Sequence, residues 1–269
     1  MRDKIMVFIP MYNCRKQIIR VLEQFRGEIK DYISQIVIIN NRSTDGGEES
    51  VISYLKEKPL PIPVKLLRNK ENYGLGGSHK VAFRYALNHN FDYVVVLHGD
   101  DQGHIENLLP YLKQETYRKY DCFLGARFQK GAKLDGYSRF RTFGNVIYNM
   151  LFSVVVHHVI YDLGSGLNMY YVPALKSQFY LRFKDNLMFN YCMILGSSYL
   201  HQKLGFFPIR WSESDQVSNV KMFNQAVIVL KLLGEYFRDK HKFMREEHRD
   251  KIPTRYEADE IFSSGEVKL

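Results

Sequence analysis

The sequence predicts an α/β fold in which a mostly parallel central sheet is covered by helices on both faces, as a single domain. Three observations predict it. Short, continuous apolar runs recur along the first half of the chain. Segments with helical apolar spacing separate them. A polar cluster directly follows each of these runs. Strands buried on both faces read as continuous apolar runs, and helical crossovers connect parallel strands.

Each element follows from its local pattern. Ile5–Ile9 is an apolar run ended by Pro10. Gln17–Arg26 places Ile18, Val21, Leu22 and Phe25 on one helical face. Ile36–Ile39 is a second strand, stopped by Asn40-Asn41, and Gly47–Lys56 reads as a helix. Val64–Leu67 is a third strand, followed by a helix over Gly76–Asn88. Tyr93–Leu97 is a strand, Ile105–Leu112 a helix and Cys122–Leu124 a further strand. In such sheets ligands bind in the crevice beyond the carboxyl ends of the strands. Pro10–Asn13, Asn40–Asp45, Asn69–Gly77, His98–His104 and Gly125–Arg127 should therefore converge on one edge.

The second half is less regular. It reads as a helix over Arg141–Val159, a turn-rich loop at Asp162–Gly166 and a strand over Asn168–Val172. A helix over Leu187–Lys203, a strand over Phe206–Trp211 and a helix over Val217–Arg238 follow. The charged tail from Asp239 is expected to fray. No internal repeat or low-complexity linker interrupts the chain, so residues 128–221 read as a subregion of the same domain as 1–127. Residues 222–269 form a terminal helix and tail.

Composition bounds the partners. Of 269 residues, 38 are basic and 29 acidic, a net charge of +9. That balance favours polyanions, phosphorylated substrates or anionic lipid surfaces. The lysines are scattered without a basic stripe, which argues against nucleic acid. The three cysteines, Cys14, Cys122 and Cys192, are far apart and contain no CxxC pair, as expected in a reducing cytoplasm. The N-terminus lacks the apolar run of about 7–15 residues that marks a signal peptide. Val146–Ile160 and Met222–Phe237 are the most apolar stretches, but both fall short of the about 18 consecutive apolar residues needed to span a bilayer. Any membrane contact is expected to be peripheral, on the inner face. A homodimer is equally compatible with the sequence.

Several strand-end clusters carry chemistry. His98-Gly99-Asp100-Asp101-Gln102 follows the most hydrophobic strand, where carboxylates can hold a divalent ion or simply cap the following helix. Asn72–Lys80 opens a helix with glycines at 74, 76 and 77, which let backbone approach a phosphate or form an ordinary turn. It is not a P-loop, which needs GxxxxGK[ST]. Asn40-Asn41 can read a nucleobase edge or serve as an Asx turn and cap. His157-His158 lacks a carboxylate at ligand spacing and reads as a helix-face pair. Trp211–Asn219 reads equally as a mobile acceptor loop or a capping loop.

Taken together and in order, these elements resemble family 2 glycosyltransferases of the GT-A fold. Ile9-Pro10-Met11-Tyr12-Asn13 matches the family's P-x-Y-N start, and Asn40–Gly46 its D-D-x-S-x-D-G element. Asn72–Gly76 matches N-x-G-x-G. His98–Gln102 falls on D-x-D, which is D-A-D-x-Q in polyprenyl-phosphate mannose and glucose synthases. Gly125–Phe128, Asp162–Leu167 and Pro208–Trp211 look like that subgroup's G-S-R-[FY], D-P-x-S-G-F and late P-I-x-[YW] elements. The likeness spans roughly residues 4–221.

The resemblance implies roles. Pro10, Tyr12, Asn13, Asn40 and Asn41 would line the nucleoside pocket in the 1–127 half. Asn72, Gly76 and Lys80 would flank base, ribose and phosphate, with Gly99 also on the donor side. His98, Asp100 and Gln102 would hold Mn²⁺ or Mg²⁺. Arg127 and Arg141 would face donor or acceptor phosphate, to which guanidinium geometry is suited. The sequence departs from the family at His98, at Asn40-Asn41 and at Cys14, where acidic residues are usual. Imidazole suits Mn²⁺-like ions better than Mg²⁺.

The implied reaction is an inverting displacement at the anomeric carbon of a nucleotide-diphosphate sugar. The acceptor is a polyprenyl phosphate or a cell-envelope or capsular glycan. A sugar hydroxyl would need a general base, with Asp162, Asp101 and Asp215 as candidates; a phosphate would not. Two other classes stay open. A sugar-phosphate nucleotidyltransferase would open with a glycine-rich loop where this chain has Pro10-Met11-Tyr12. A catalytically impaired nucleotide-sugar binder would explain His98.

Overall fold

A computed structural model describes residues 2–213, 222–253 and 255–265. Five parallel-running strands set the frame: β1 (Ile5–Met11), β2 (Gln35–Asn40), β3 (Val64–Asn69), β4 (Tyr93–Leu97) and β5 (Cys122–Ala126). The short β6 (Lys133–Asp135) follows, then β7 (Leu167–Tyr171), β8 (Leu204–Pro208), β9 (Arg210–Ser212) and β10 (Ala258–Ser264). Eight of these form one sheet in the order β10-β3-β2-β1-β4-β7-β5-β8. β7 is antiparallel to both β4 and β5, and β10 is antiparallel to β3. The mostly parallel sheet expected from the apolar runs is present. Because β7 reverses twice, β5 still points the same way as β1–β4, so the carboxyl ends of all five lie on one edge.

Helices α1 (Arg15–Glu23), α2 (Gly47–Glu57) and α3 (Gly74–Asn88) make the crossovers. α1 buries Ile18, Val21 and Leu22 under one face, with Ile9, Ile38 and Leu97 from the sheet. α3 buries Val81, Ala82, Phe83 and Ala86 on the other, with Phe8, Val37 and Val96. The alternate residues of β1 thus feed two cores, as a strand covered on both faces requires.

The structure departs from expectation in three places. The 105–112 segment is a 3-10 turn, Ile105–Leu108, followed by the short helix α4 (Leu109–Lys113), with Pro110 in its first turn. Phe206–Trp211 breaks into β8 and β9. The Ile209 amide still bonds the Ala126 carbonyl, and β9 then pairs with β6 as a two-stranded ribbon. Among its described residues the tail is ordered rather than frayed: it forms α8 (Lys240–Arg245) and the edge strand β10. β10 covers the otherwise open edge of β3, with ion pairs Lys65–Glu260 at 2.7 Å and Lys70–Asp259 at 2.6 Å. An uncovered edge invites pairing with other chains, which explains the use of a charged segment there.

The remaining helices are α5 (Arg139–Val156), α6 (Phe189–Tyr199) and α7 (Met222–Arg238). Val217–Lys221 of the expected last helix lies outside the described residues. α5 packs against α6 and α7 and buries Asn149, Phe152 and Val156. Among the described residues, no helix is long and apolar enough to cross a membrane.

Candidate active site

The first two strand ends are tied together by side chains. Asn13, at φ 50°, accepts from the Thr44 amide at 2.8 Å, and its own amide donates to Ser43 Oγ at 3.1 Å. Asp45 accepts from the amides of Arg15 (2.7 Å) and Gly47 (3.0 Å). Pro10 contributes its carbonyl to the Gly99 amide at 3.2 Å. Tyr12 stands 54% exposed above this frame, an aromatic face open to a ligand. Asn40 and Asn41 are buried and committed. Asn40 donates to Glu48 at 2.7 Å and accepts from the Ser43 amide, while Glu48 also pairs with Arg68. Asn41 accepts from Asn69 and from the Tyr73 amide and donates to Asn72 at 2.7 Å. These amides hold the β2 and β3 ends together, so direct reading of a base by both of them requires a rearrangement.

The glycine-rich opening of α3 differs from expectation. A Cβ on Gly76 would sit 2.5 Å from the Lys184 carbonyl and 2.7 Å from Phe189. The Gly76 amide donates to the Asp185 carbonyl at 2.7 Å. The glycines therefore admit the chain's own 184–186 segment, which occupies the helix N-terminus where a phosphate was expected. Lys80 is fully buried, with Nζ donating to the Phe183 carbonyl (2.6 Å), Asp185 (2.7 Å) and Tyr256 (3.1 Å). An ammonium has three protons, and all three are used. Burial pulls Lys80 down to about 8 against the opposing pull of Asp185.

The β4 end presents Asp100. Its Oδ1 accepts the Gln102 amide at 3.3 Å, and no cation among the described residues pairs with it. Asp101, at φ 60°, turns away to α1, accepting from Arg20 at 2.6 Å and Gln24 at 3.1 Å. Both Asp101 carboxylate oxygens are thus engaged by α1 and the residue that follows it. His98 is packed beneath Gly166 and Trp211; a Cβ on Gly166 would lie 3.0 Å from its ring and 3.1 Å from the indole. Its Nε2 is buried without a hydrogen-bond partner. Burial lowers its pKa despite the nearby Asp100 carboxylate, so the imidazole is neutral. The main chain of Gln102 accepts from the Ser212 amide, tying this loop to β9.

The β5 end and the 162–166 loop form one unit. Asp162, 2% exposed, accepts from Arg127 N, Nε and Nη2 at 2.9, 2.7 and 2.8 Å and from the Gly164 amide at 3.0 Å. Burial opposes the Arg127 charge, but the Asp162 carboxylate outweighs it and holds the guanidinium above its usual value. The same guanidinium lies over the Trp211 ring at 5.1 Å and Tyr137 at 5.7 Å. Asp162 is thus an anchor for the loop rather than a free base, and Arg127 does not face open solvent. Arg141, in the first turn of α5, lies over Tyr137 and pairs with Glu213 at 2.6 Å, retaining 26% side-chain exposure. The third candidate base, Asp215, lies outside the described residues.

A sheet edge that gathers these motifs in this topology matches one family model: Glycosyl transferase family 2 aligns with residues 6–179. The chain belongs to glycosyl transferase family 2. Among curated family members it is 23% identical over 174 residues to an undecaprenyl-phosphate mannosyltransferase of Micrococcus luteus, covering 65% of this chain and 69% of that one. It is 26% identical over 138 residues to a dolichol-phosphate mannosyltransferase of Pyrococcus furiosus, covering 51% of this chain and 37% of that one. In fold it resembles a mannosyltransferase of Pyrobaculum calidifontis solved with GDP-Man and Mn²⁺ (TM-score 0.57, 15% identity, 91% and 72% coverage). It also resembles glucosyl-3-phosphoglycerate synthase of Mycobacterium tuberculosis solved with UDP (TM-score 0.60, 13% identity, 88% and 80% coverage).

A divalent ion fits this family 2 site in a restricted sense. Among the described residues, no group of three or more His, Cys, Asp or Glu side chains is arranged to hold one. Asp100 supplies one open carboxylate, which suits an ion that takes most of its other ligands from phosphates and water. The unpartnered His98 Nε2 is a further nitrogen donor, sealed from solvent in this conformation. Gln102 would complete the expected His98–Asp100–Gln102 set with a side-chain amide oxygen. Sequence reasoning missed Asp185 and Tyr137. The signal for Asp185 was indirect: a lysine on a helix face otherwise apolar must find an anion. Nothing in the sequence marked Tyr137.

Proposed function

We propose that this family 2 chain transfers a sugar from a nucleotide-diphosphate sugar to a phosphate acceptor of the polyprenyl-phosphate kind, with inversion, from the inner face of a membrane. One observation carries the acceptor choice. Of the two candidate bases among the described residues, Asp162 is saturated by four donors and Asp101 is paired with Arg20. A sugar hydroxyl needs a base within hydrogen-bond reach, whereas a phosphate monoester is already ionised and attacks without one. The names of the curated relatives support the same acceptor class.

The residues divide the work as follows. Tyr12 and the Asn13–Asp45 frame receive the nucleoside. Asp100, with His98 and Gln102 beside it, would hold Mn²⁺ or Mg²⁺, which supplies charge stabilisation for the departing diphosphate. Arg127, locked by Asp162, fixes the floor of the acceptor side. Arg141 offers its remaining guanidinium protons to the acceptor phosphate. The test is sugar transfer from a labelled nucleotide sugar to undecaprenyl phosphate, compared with a glycan acceptor. Transfer to the lipid phosphate that disappears in Asp100→Ala, with melting unchanged, is expected. Transfer only to a glycan hydroxyl, or undiminished transfer by Asp100→Ala, contradicts the reading.

A further inference from the structure

The outward face of α5 is apolar along nearly its whole length. Phe140 (67% exposed), Phe143 (65%), Val146, Ile147, Met150 (64%), Leu151 and Val154 (70%) all reach solvent. After Arg139 no charged side chain interrupts this face: Arg141 turns inward to Glu213, and Asn145, Asn149 and Ser153 spend their side chains on Tyr137, Tyr161 and the helix itself. A helix of 18 residues is about 27 Å long. Val227, Leu230 and Phe237 on the neighbouring α7 are also exposed. Monomeric soluble surfaces rarely leave so continuous an apolar patch open.

Charge identifies what covers it. Exposed Lys130 and Lys133 precede α5 and exposed Arg139 opens it; exposed Lys231, Arg238 and Lys242 lie on or beyond α7, where Lys231 pairs with Glu235 at 4.0 Å and Lys242 with Glu246 at 3.4 Å. Asp135 is the single acidic residue between 128 and 160. An apolar helix face fringed by cations is the pattern of a helix lying in the plane of an anionic bilayer. A second copy of this chain would bring fringes of like sign together. We propose that α5 is an interfacial helix that seats the protein on an anionic lipid surface, with its apolar face in the headgroup boundary. Because Arg141 in its first turn pairs with Glu213 beside Trp211, the docked helix brings the acceptor side of the cleft to the lipid. This consequence rests on the lipid-phosphate reading above; the docking itself does not.

The experiment is co-sedimentation of the full chain with phosphatidylcholine vesicles and with vesicles containing phosphatidylglycerol. Binding to the anionic vesicles that weakens with salt is expected. Phe143→Glu combined with Met150→Glu should reduce that binding about tenfold or more. The double variant should melt as the parent does, since both side chains are exposed. Failure to bind anionic vesicles, or equal binding by the double variant, overturns the proposal. So does a dimer, seen by sedimentation velocity, that the same substitutions dissolve without any vesicle binding. Nucleotide-sugar binding, measured on the same samples, separates the two readings: it is expected to survive the double substitution, and its absence from the parent would count against the donor site alone.

Discussion

Asp162 receives four hydrogen bonds, three of them from Arg127, and both groups are buried. Removing one partner of such a pair strands the other's charge, at a cost of about 3–5 kcal/mol. Asp162→Ala should therefore lower stability by that order in urea unfolding and abolish transfer by releasing the 162–166 loop. Lys80 makes the same argument on the donor side. Lys80→Met leaves Asp185 without its cation and should cost about 3 kcal/mol. If Lys80 instead met phosphate, the variant would melt normally and lose only donor affinity. The sequence placed both residues in motifs but not their roles. A lysine in a glycine-rich loop looks the same whether its partner is a ligand phosphate or an aspartate about a hundred residues away, because the partner is chosen by tertiary packing.

At the scale of elements, the parallel strands and crossover helices were legible because apolar runs and helical spacing are local signals. β7 was read as a strand, yet its antiparallel direction comes from where the chain re-enters the sheet, after the loop pinned at Arg127. β10 was not legible: Ala258–Ser264 alternates charge and apolar side chains weakly and gains its structure by pairing with β3. Removing residues 258–269 should expose the β3 edge and cause aggregation, visible by light scattering. Unchanged solution behaviour would show that the edge is protected by other means. The convergence of strand-end clusters on one edge was legible from strand order alone; the filling of the α3 N-terminus by the 184–186 segment was not, since nothing local links those positions.

For the molecule as a whole, His79 and His98 set an acid limit. His79 packs among Phe8, Phe83 and Phe189, and burial lowers it from 6.5 to about 3. The unfolded chain takes up that proton near the ordinary value, so its contribution to stability is present above about 6.5 and is lost progressively as pH falls toward 3. His98, lowered by burial, adds with the same sign. Unfolding midpoints should fall between pH 7 and pH 4, and His79→Leu should flatten that dependence; a parallel profile would remove His79 as a cause. The central claim, a donor site for a nucleotide sugar on the carboxyl edge of the sheet, is tested most directly by a thermal-shift panel of UDP-, GDP-, CDP- and dTDP-sugars with and without Mn²⁺ or Mg²⁺. A ligand that binds only the folded state raises its melting temperature with concentration. The account predicts such a rise for at least one nucleotide, larger with the ion and reduced to the ion-free level in Asp100→Ala; no rise with any of the four would contradict it.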